Sequence, residues 1–284
     1  MKLLEVMELV KTEKKALEVF QRIRWEKGVH CPKCGLYKEY EKHSRTKMGY
    51  QKYRCLGCRH VFSDTSGTYL YRKRIPPREL LLTLYELSQT KSITSGELGK
   101  KLGFSQKRAW NILHCLRQYA ATLKHITPDS LRGVVESDEA WIGRGRNTTI
   151  LQGLVQRAGK IVLLPIPDCT EKVLKGNIKK FVEKFSSVMT DSAVAYGGLS
   201  CSGYYHQTVN HSKNEFSRGN GIHSNTIEGF WGNLKKVLYG IHHGVLRHNL
   251  GGYTAEFALK YNLRHSPSLF SNFLYLFIAP PLTC

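Results

Sequence analysis

Two cysteine pairs of the form Cys-x-x-Cys constrain this chain of 284 residues more than any other feature. Cys31 and Cys34 form the first pair, Cys55 and Cys58 form the second, and 20 residues separate them. Each pair can supply two thiolates to one tetrahedral Zn²⁺, with the intervening residues forming a ribbon hairpin. Two disulfides are the alternative, but they need an oxidising compartment, and the N-terminus lacks the apolar run of a signal peptide. The spacing predicts a structural zinc ribbon.

The charge balance narrows the class of partner. Lys and Arg number 43 against 22 acidic residues, which gives a formal net charge of +21. Ordinary soluble domains carry a net charge of about 2–8, so this excess favours a nucleic-acid binder. Basic residues and tyrosines interleave through the ribbon, where they can contact phosphates and sugars or form a solvated face over a small tyrosine core. We expect double-stranded DNA as the partner.

No segment approaches the roughly 18–20 uninterrupted apolar residues that a membrane span needs. The most apolar stretch, 269–281, is short and interrupted by polar residues and prolines, which indicates a packed C-terminal segment. No GxxxxGK[ST] motif is present, which argues against an ATP-driven remodeller. The expected location is the cytoplasm, in association with the nucleoid.

A helical region follows the ribbon. Apolar periodicity predicts helices over 78–90, 95–102 and 105–123, with a glycine turn at Gly103. This order is typical of a helix-turn-helix, although three-helix bundles also occur as plain connectors. In a helix-turn-helix the start of the second helix contacts DNA. Its candidate contacts are Ser105, which is also the predicted N-cap, Gln106, Lys107 and Arg108.

The second half predicts an α/β domain. Strands are expected at 134–142, 148–155, 161–166, 188–190 and 204–210, and helices at 171–185, 225–239 and 248–264. This order predicts a ribonuclease-H-like domain, a mixed sheet flanked by helices, preceded by the zinc ribbon and the helix-turn-helix module. The expected domains are a helical lead 1–29, the ribbon 30–70, the helical module 76–125, the ribonuclease-H-like domain 130–265 and a tail 266–284.

Three acidic residues lie in otherwise apolar elements of that domain. Asp138 is in the middle of a strand, Asp191 follows a strand, and Glu228 lies near the start of a helix. Carboxylates that converge from different elements can hold two metal ions about 3.5–4 Å apart for phosphoryl transfer. Such oxygen ligands favour Mg²⁺, or Mn²⁺ in its place. The acidic set predicts a catalytic metal site.

Each acidic residue also has a structural interpretation. Asp138, with Glu136 and Glu139, can protect an edge strand from pairing. Asp191 can cap the turn that follows it. The spacing Asn225-x-x-Glu228 is that of a capping box.

Several motifs resemble a known family. The strings "VVESDEAWIG", "VMTDSAVAYGGL", "HSNTIEGFWGNLKKVLYGIHH" and "YTAEFALKYNLRH", preceded by "CPKCG", are similar to bacterial insertion-sequence transposases that pair a zinc ribbon with an ISXO-like transposase domain. The resemblance extends over about residues 15–265. It implies a DDE-type catalytic set of Asp138, Asp191, Glu228 and the following Lys235, with Asn225 as the other candidate for the third position.

Helical spacing agrees with that assignment. Asn225, Glu228 and Lys235 fall on one stripe of a helix, so Lys235 can bind DNA beside metals that Glu228 holds, and Lys236 extends the basic path. The expected function is a homo-oligomeric transposase that cleaves transposon ends and joins the 3′-OH to target DNA. A DNA-binding regulator with an inactive ribonuclease-H-like domain, and a nuclease of this fold without strand transfer, are the alternatives.

Overall fold

The computed structural model describes residues 3–123, 128, 130–209, 217–218 and 222–279. The parts of the predicted elements and domains at 1–2, 124–125, 210–216, 219–221 and 280–284 lie outside these residues. The described chain divides into two compact units: residues up to Leu116 together with those from Ser266, and residues from Arg117 to His265. Among the described helices, none combines the length and apolar character required to cross a membrane.

The first unit contains six helices and a three-stranded sheet within its described residues. In chain order the elements are α1 (Leu3–Leu9), α2 (Glu13–Arg24), β1 (Tyr40–Arg45), β2 (Gln51–Cys55), β3 (Val61–Ser63), α3 (Pro77–Gln89), α4 (Ser95–Leu102), α5 (Gln106–Ala120, which continues into the second unit) and α9 (Leu269–Ile278). The strands form an antiparallel sheet in the order β1-β2-β3. Residues of the predicted tail therefore form a helix, with Phe270, Phe273 and Phe277 buried.

A buried carboxylate joins α2 to the ribbon. Asp64 is fully buried, and its two oxygens accept hydrogen bonds from Trp25 Nε1 at 2.8 Å, Tyr53 OH at 2.9 Å, Gln51 N at 2.7 Å and Gln21 Nε2 at 3.0 Å. A carboxylate has about four lone-pair sites, so the side chain of Asp64 is saturated. The ribbon is small, and these bonds supplement an aromatic core of Trp25, Tyr53 and Phe62.

The second unit is a sheet with helices on both faces. Its elements are β4 (Val134–Ile142), β5 (Thr149–Gln156), β6 (Ile161–Ile166), α6 (Glu171–Phe181), β7 (Ser187–Asp191), β8 (Tyr205–Val209), β9 (Ser217–Arg218), β10 (Ile222–His223), α7 (Asn225–Lys235), a π-helical segment (Lys236–Ile241) and α8 (Arg247–Asn262). One core packs beneath α6 and includes Leu174, Ile178 and Val188. The other packs beneath α7 and α8 and includes Ile227, Trp231 and Leu234.

The strand order of this sheet is β6-β5-β4-β7-β8. β5 is antiparallel to both β4 and β6, whereas β7 is parallel to β4 and β8. A central first strand, an antiparallel second strand and parallel fourth and fifth strands are the topology of a ribonuclease-H-like domain. The predicted fold class is confirmed for the ribonuclease-H-like domain and for the zinc ribbon that precedes it in the chain.

Candidate active site

The central strand β4 presents two carboxylates to helix α7. Asp138 accepts a hydrogen bond from Trp231 Nε1 at 3.1 Å, and Glu136 accepts one from the backbone N–H of Ile227 at 2.9 Å. Alternate residues of a strand share a face, which places both carboxylates beneath α7. Gly153 lies opposite Asp138 on β5, and a Cβ there would come within 2.7 Å of the Trp231 ring. The interpretation of Asp138, Glu136 and Glu139 as protection of an edge strand is wrong, because β4 has a neighbour on each side.

The parallel pairing of β4 with β7 brings Asp191 to the level of Asp138. Val134 pairs with Ser187 and Glu136 with Met189. Continued two residues beyond the last recorded pair, the same offset brings Asp138 to the level of Asp191. Asp191 ends β7, and its Oδ1 accepts a hydrogen bond from Ala193 N at 3.0 Å. The predicted turn-capping contact of Asp191 is therefore present, and one carboxylate oxygen makes it.

Glu228 enters the site from α7. Ser224 is the N-cap of this helix, and its Oγ donates a hydrogen bond to Glu228 Oε1 at 2.8 Å. Asn225 is exposed and is the first helical residue, so the capping box expected between Asn225 and Glu228 is wrong. Asn225 instead donates its backbone N–H to His223 Nδ1 at 3.4 Å. Glu228 contributes a negative charge that acts on Asp138; the choice between Glu228 and Asn225 as third ligand stays a prediction.

Electrostatics link the three acidic residues. Burial raises the pKa of Asp138, and the negative charges of Asp191 and Glu228 raise it further, while hydrogen bonds from the Glu139 backbone and Trp231 oppose the shift. A charge acts strongly on another only at short range in a protein. Asp138, Asp191 and Glu228 therefore occupy one electrostatic environment. Within the described residues, neither Asp138 nor Asp191 forms an ion pair.

Sequence reasoning missed the role of Glu136. This side chain is fully buried, and besides the Ile227 N–H it accepts hydrogen bonds from Thr226 Oγ1 at 2.9 Å and Arg157 Nε at 2.6 Å. Since Ser224 makes no side-chain cap of the helix backbone, Glu136 supplies the acceptor that the start of α7 needs. The signal was its spacing: a glutamate two residues before Asp138 lies on the same face of the strand.

Glu139 lies on the opposite face of β4. Tyr196 OH donates a hydrogen bond to Glu139 and shares one with Ser137 Oγ at 3.1 Å. Burial raises the pKa of Glu139 to about 7; the Tyr196 bond lowers it, and the charges of Asp138 and Asp191 raise it. Tyr196 belongs to the turn that follows Asp191. This hydrogen-bond group ties the Asp191 turn to the strand that carries Asp138.

The predicted basic residues lie at the other end of α7. Lys235 is its last residue, Lys236 begins the π-helical segment, and both are exposed. At 100° per residue, Asn225, Glu228 and Lys235 fall within about 80° of one another around the helix axis. The three positions share a stripe, as the sequence predicted, with Lys235 about 10 Å along the axis from Glu228.

The acidic group offers donors of the type that divalent metal ions prefer, while its three carboxylates, unlike the four ribbon thiols, do not all lie within 4.8 Å of one another. The set consists of carboxylate oxygens, which hard cations such as Mg²⁺ and Mn²⁺ prefer. The pKa of Asp138 is raised by burial and by its acidic neighbours, so a cation at this position would relieve both the burial and the repulsion. Asp138, Asp191 and Glu228 are the residues that would hold it.

The four cysteines of the ribbon also fit a metal. All four Sγ atoms lie within 4.8 Å of one another, and the Cys31–Cys58 and Cys34–Cys55 Sγ distances are both 3.6 Å. A tetrahedral Zn²⁺ with bonds of about 2.3 Å requires about 3.8 Å between sulfurs. All four cysteines are free thiols, so the two-disulfide alternative is wrong. The thiols would hold one structural Zn²⁺.

One of the predicted DNA contacts in the helical module is engaged in an intramolecular ion pair. Ser105 Oγ accepts a hydrogen bond from Arg108 N at 3.2 Å, which confirms Ser105 as the N-cap of α5, and Gln106 and Lys107 are exposed beside it. Arg108 is partly buried, forms an ion pair with Glu79 at 2.6 Å and donates to the Arg74 carbonyl at 2.9 Å. Its guanidinium holds α5 against α3.

Comparison with known proteins agrees with this architecture. Residues 130–262 match the family model of the ISXO2-like transposase domain, and residues 11–61 match that of the transposase zinc-ribbon domain. The chain is 24% identical over 287 residues to "Uncharacterized protein in transposable element ISH50" of Halobacterium salinarum, covering 90% of this chain and 93% of that protein.

Two solved structures are similar at low identity. One is a chain of the simian T-cell lymphotropic virus intasome in complex with PP2A regulatory subunit B56 gamma, with 17% identity, a TM-score of 0.35, and coverage of 71% of this chain and 76% of that one. The other is the HTLV-2 integrase catalytic core domain in complex with magnesium, with 12% identity, a TM-score of 0.33, and coverage of 50% and 96%. From the two family matches, the fold and the cysteine group, the chain belongs to the insertion-sequence transposases that join a transposase zinc ribbon to an ISXO2-like transposase domain.

Proposed function

We propose that this transposase binds transposon ends, cleaves them to release a 3′-OH, and joins that hydroxyl to target DNA by metal-dependent phosphoryl transfer. One observation carries the proposal: Asp138 and Asp191 lie level on parallel strands, and Glu228 acts on Asp138 from the helix above them. Three carboxylates from three separate elements are the arrangement that two-metal phosphoryl transfer requires. When bound, a pair of Mg²⁺ ions would polarise the phosphate and stabilise the attacking and leaving oxygens.

Residues of the protein orient the carboxylates and bind the DNA. Trp231 holds one oxygen of Asp138, and Ser224 holds one oxygen of Glu228, so each carboxylate enters with its direction fixed. Lys235 and Lys236 are exposed at the other end of α7 and supply cations for phosphates further along the bound strand. Glu136 fixes the start of α7 and thereby the position of Glu228.

DNA binding is proposed for the first unit as well. Its ribbon carries interleaved lysines, arginines and tyrosines, and Ser105, Gln106 and Lys107 are exposed at the start of α5. Arg108 has a structural ion pair, so we assign recognition of the transposon end to the other three and to the ribbon. Pairing of two ends requires more than one catalytic unit, so a homo-oligomer on DNA is part of the proposal.

The test compares two aspartates with the same local geometry. Asp191 accepts a hydrogen bond from Ala193 N, and Asp168 accepts one from Thr170 N at 2.9 Å, so both form a turn to the residue two positions later. Asparagine preserves either turn. Asp191→Asn should lower Mg²⁺-dependent cleavage of a labelled transposon end by about 10³-fold, whereas Asp168→Asn should cleave like the wild type.

Two outcomes would contradict the proposal, and each would favour one of the alternative functions. If the wild type cleaves ends but does not join a pre-cleaved end to a target plasmid, the chain is a nuclease of this fold. If it binds ends with either metal, Mg²⁺ or Mn²⁺, and does neither reaction, it is a DNA-binding regulator. Equal rates for Asp191→Asn and Asp168→Asn would remove Asp191 from the site.

A further inference from the structure

The hairpin between β4 and β5 carries an aromatic and two cations on its surface. Trp141 is 56% exposed at the end of β4, and Arg144 and Arg146 are exposed in the loop. Residues 140–150 contain no acidic residue. Within the described part of the chain, neither guanidinium takes part in an ion pair. Folding of this unit does not account for these three exposed side chains.

The backbone of the hairpin is nevertheless fixed. Gly143 has a φ of +110°, and a Cβ there would lie 2.4 Å from the carbonyl oxygen of Asn147. A turn of 3₁₀ helix at Gly145–Asn147 closes the loop. Tyr239 OH accepts a hydrogen bond from Gly143 N at 2.8 Å, and Tyr239 belongs to the π-helical segment that continues from α7. The helix that carries Glu228 and the hairpin are therefore one braced structure.

The hairpin also lies at the correct end of the sheet. Trp141 follows Asp138 by three residues, or about 10 Å of extended strand. That distance corresponds to about three nucleotides at 3.4 Å each along one DNA strand. Asp191 ends its parallel strand at the same edge. Trp141 lies on the same face of β4 as Glu139, opposite to Asp138. A DNA strand whose phosphate lies at the carboxylates would therefore have to run over this edge of the sheet to meet Trp141 and the two arginines.

We propose that this hairpin is a second DNA contact, specific for a strand with unpaired nucleotides next to the reacting phosphate. Arg144 and Arg146 bind phosphates, and Trp141 stacks on a base that has left the duplex. An exposed indole can stack on the face of an unpaired base, which the interior of a continuous duplex does not offer, whereas guanidinium contacts to phosphates tolerate any sequence. This inference rests on the proposed function, because it takes the strand at Asp138 to be DNA.

The binding test uses the zinc-loaded full chain in buffer without Mg²⁺ or Mn²⁺ and a matched control. Arg132 is an exposed arginine just before the other end of β4, so Arg132→Gln removes the same charge away from the hairpin. We would measure affinity by fluorescence anisotropy for a branched strand-transfer product and for a continuous duplex, across a range of salt concentrations. The variant Arg144→Gln/Arg146→Gln should reduce the salt slope by about 1.8, at 0.9 per lost phosphate contact. Arg132→Gln should leave it unchanged.

Trp141→Leu tests the stacking contact. It should weaken binding of the branched DNA about 10-fold while changing binding of the continuous duplex much less. Equal weakening of both substrates, or a salt slope for the arginine variant equal to that of Arg132→Gln, would overturn the inference. Unchanged thermal unfolding midpoints would exclude misfolding, and the arginine variant keeps the proposal testable if Trp141→Leu does not fold.

Activity assays separate this inference from the function on which it rests. A wild type that binds both DNAs but neither cleaves nor joins would refute the proposed function, while the anisotropy result would still decide the hairpin contact. If the wild type is active, loss of joining alone in the arginine variant assigns the hairpin to target DNA. Loss of cleavage as well assigns it to the transposon end. Wild-type rates of cleavage and joining in the arginine variant would contradict a role of the hairpin in DNA binding.

Discussion

Asp64 follows the last strand of the ribbon and Asp138 lies in the central strand of the ribonuclease-H-like domain, and the surroundings of these two aspartates differ. The carboxylate of Asp64 is fully buried and accepts four hydrogen bonds. Among the described side chains, Trp231 is the one that donates to Asp138. A saturated carboxylate has no lone pair left for a metal ion, whereas Asp138, which accepts from Trp231 and from the Glu139 backbone, retains about half of its acceptor capacity. The number of donors therefore distinguishes a structural carboxylate from one available for chemistry.

The same contrast extends to the two regions. The ribbon has little apolar core and satisfies its polar groups internally, through Asp64 and through four thiols that fit a metal. The larger domain has apolar cores on both faces of its sheet and can leave acceptors open at the carboxyl edge. We expect substitutions in the ribbon to affect folding first and substitutions at the sheet edge to affect chemistry first.

Removal of zinc should have the largest effect on the ribbon side. Structural Zn²⁺ contributes on the order of 10 kcal/mol to folding of small zinc modules, so Cys34→Ser should unfold residues 30–68. Cys201 is also an exposed free thiol and serves as the control through Cys201→Ser. Metal analysis should give one zinc per wild-type chain, and NMR or limited proteolysis should report ribbon order. Ribbon signals that persist in Cys34→Ser at zero zinc would contradict the assignment.

Asp138→Asn should have the largest effect on the sheet side. Loss of one metal-holding charge is expected to lower cleavage about 10³-fold, or about 4 kcal/mol in the barrier. Stability should not fall in buffer without Mg²⁺ or Mn²⁺ and with zinc retained: a raised pKa in the folded state means that the charged form, present at neutral pH, opposes folding. Thermal unfolding in this buffer should therefore give a midpoint equal to or above that of the wild type. A large drop in this midpoint would place Asp138 in the structural class of Asp64.

Asp64→Asn is the reciprocal substitution. The amide nitrogen of asparagine must face at least one of the four donors, and the charge that strengthens those bonds is lost. We expect a loss of about 3 kcal/mol in the free energy of unfolding of the ribbon at saturating zinc. The cleavage rate of DNA already bound should remain close to that of the wild type. A reduced rate at saturating DNA with normal stability would remove the distinction between the two aspartates.

Ser224→Ala should give the smallest effect and tests how Glu228 is oriented. Loss of a hydrogen bond behind a metal ligand typically weakens metal affinity 10–100-fold, so the Mg²⁺ concentration for half-maximal cleavage should rise about 10-fold. Ser268 is also a helix N-cap, and its Oγ accepts from Ser271 N. Ser268→Ala should cost about 1 kcal/mol of stability without changing the Mg²⁺ dependence. Identical Mg²⁺ titrations for both variants would show that Ser224 acts only on the helix.

Local patterns predicted the elements that depend on neighbouring residues. The strand Val134–Ile142, the strand Ile161–Ile166 and the Ser105 cap are where the sequence placed them. The helix expected over 171–185 ends at Phe181 instead. Its next residues bond to Leu131, with Leu131 N donating to Phe181 O and Glu183 N donating to Leu131 O. A long-range backbone pairing outweighed helical periodicity there.

Features of the site that depend on distant parts of the chain were harder to predict from the sequence. Residue types and spacing identified Asp138, Asp191 and Glu228 as candidates, because charges in apolar elements are conspicuous. The central position of β4 depends on pairing with β7 about fifty residues later, and nothing local to 134–142 encodes it. For the same reason the acceptor at the start of α7 was not foreseen, since Glu136 lies about ninety residues away in sequence. Candidate site residues are therefore easier to predict from the sequence than the distant residues that position them.

The parallel register between β4 and β7 limits how such chains can diverge by insertion and deletion. Asp138 and Asp191 share one level because a constant offset relates the two strands. A one-residue deletion inside either strand would turn every later side chain of that strand to the opposite face and separate the carboxylates. Length changes in the β5–β6 turn or before α6 leave the offset between the paired strands intact in space. Natural length variation should accumulate in those connections. A library of random insertions and deletions selected for transposition should recover length changes in the connections and none within 134–138 and 187–191.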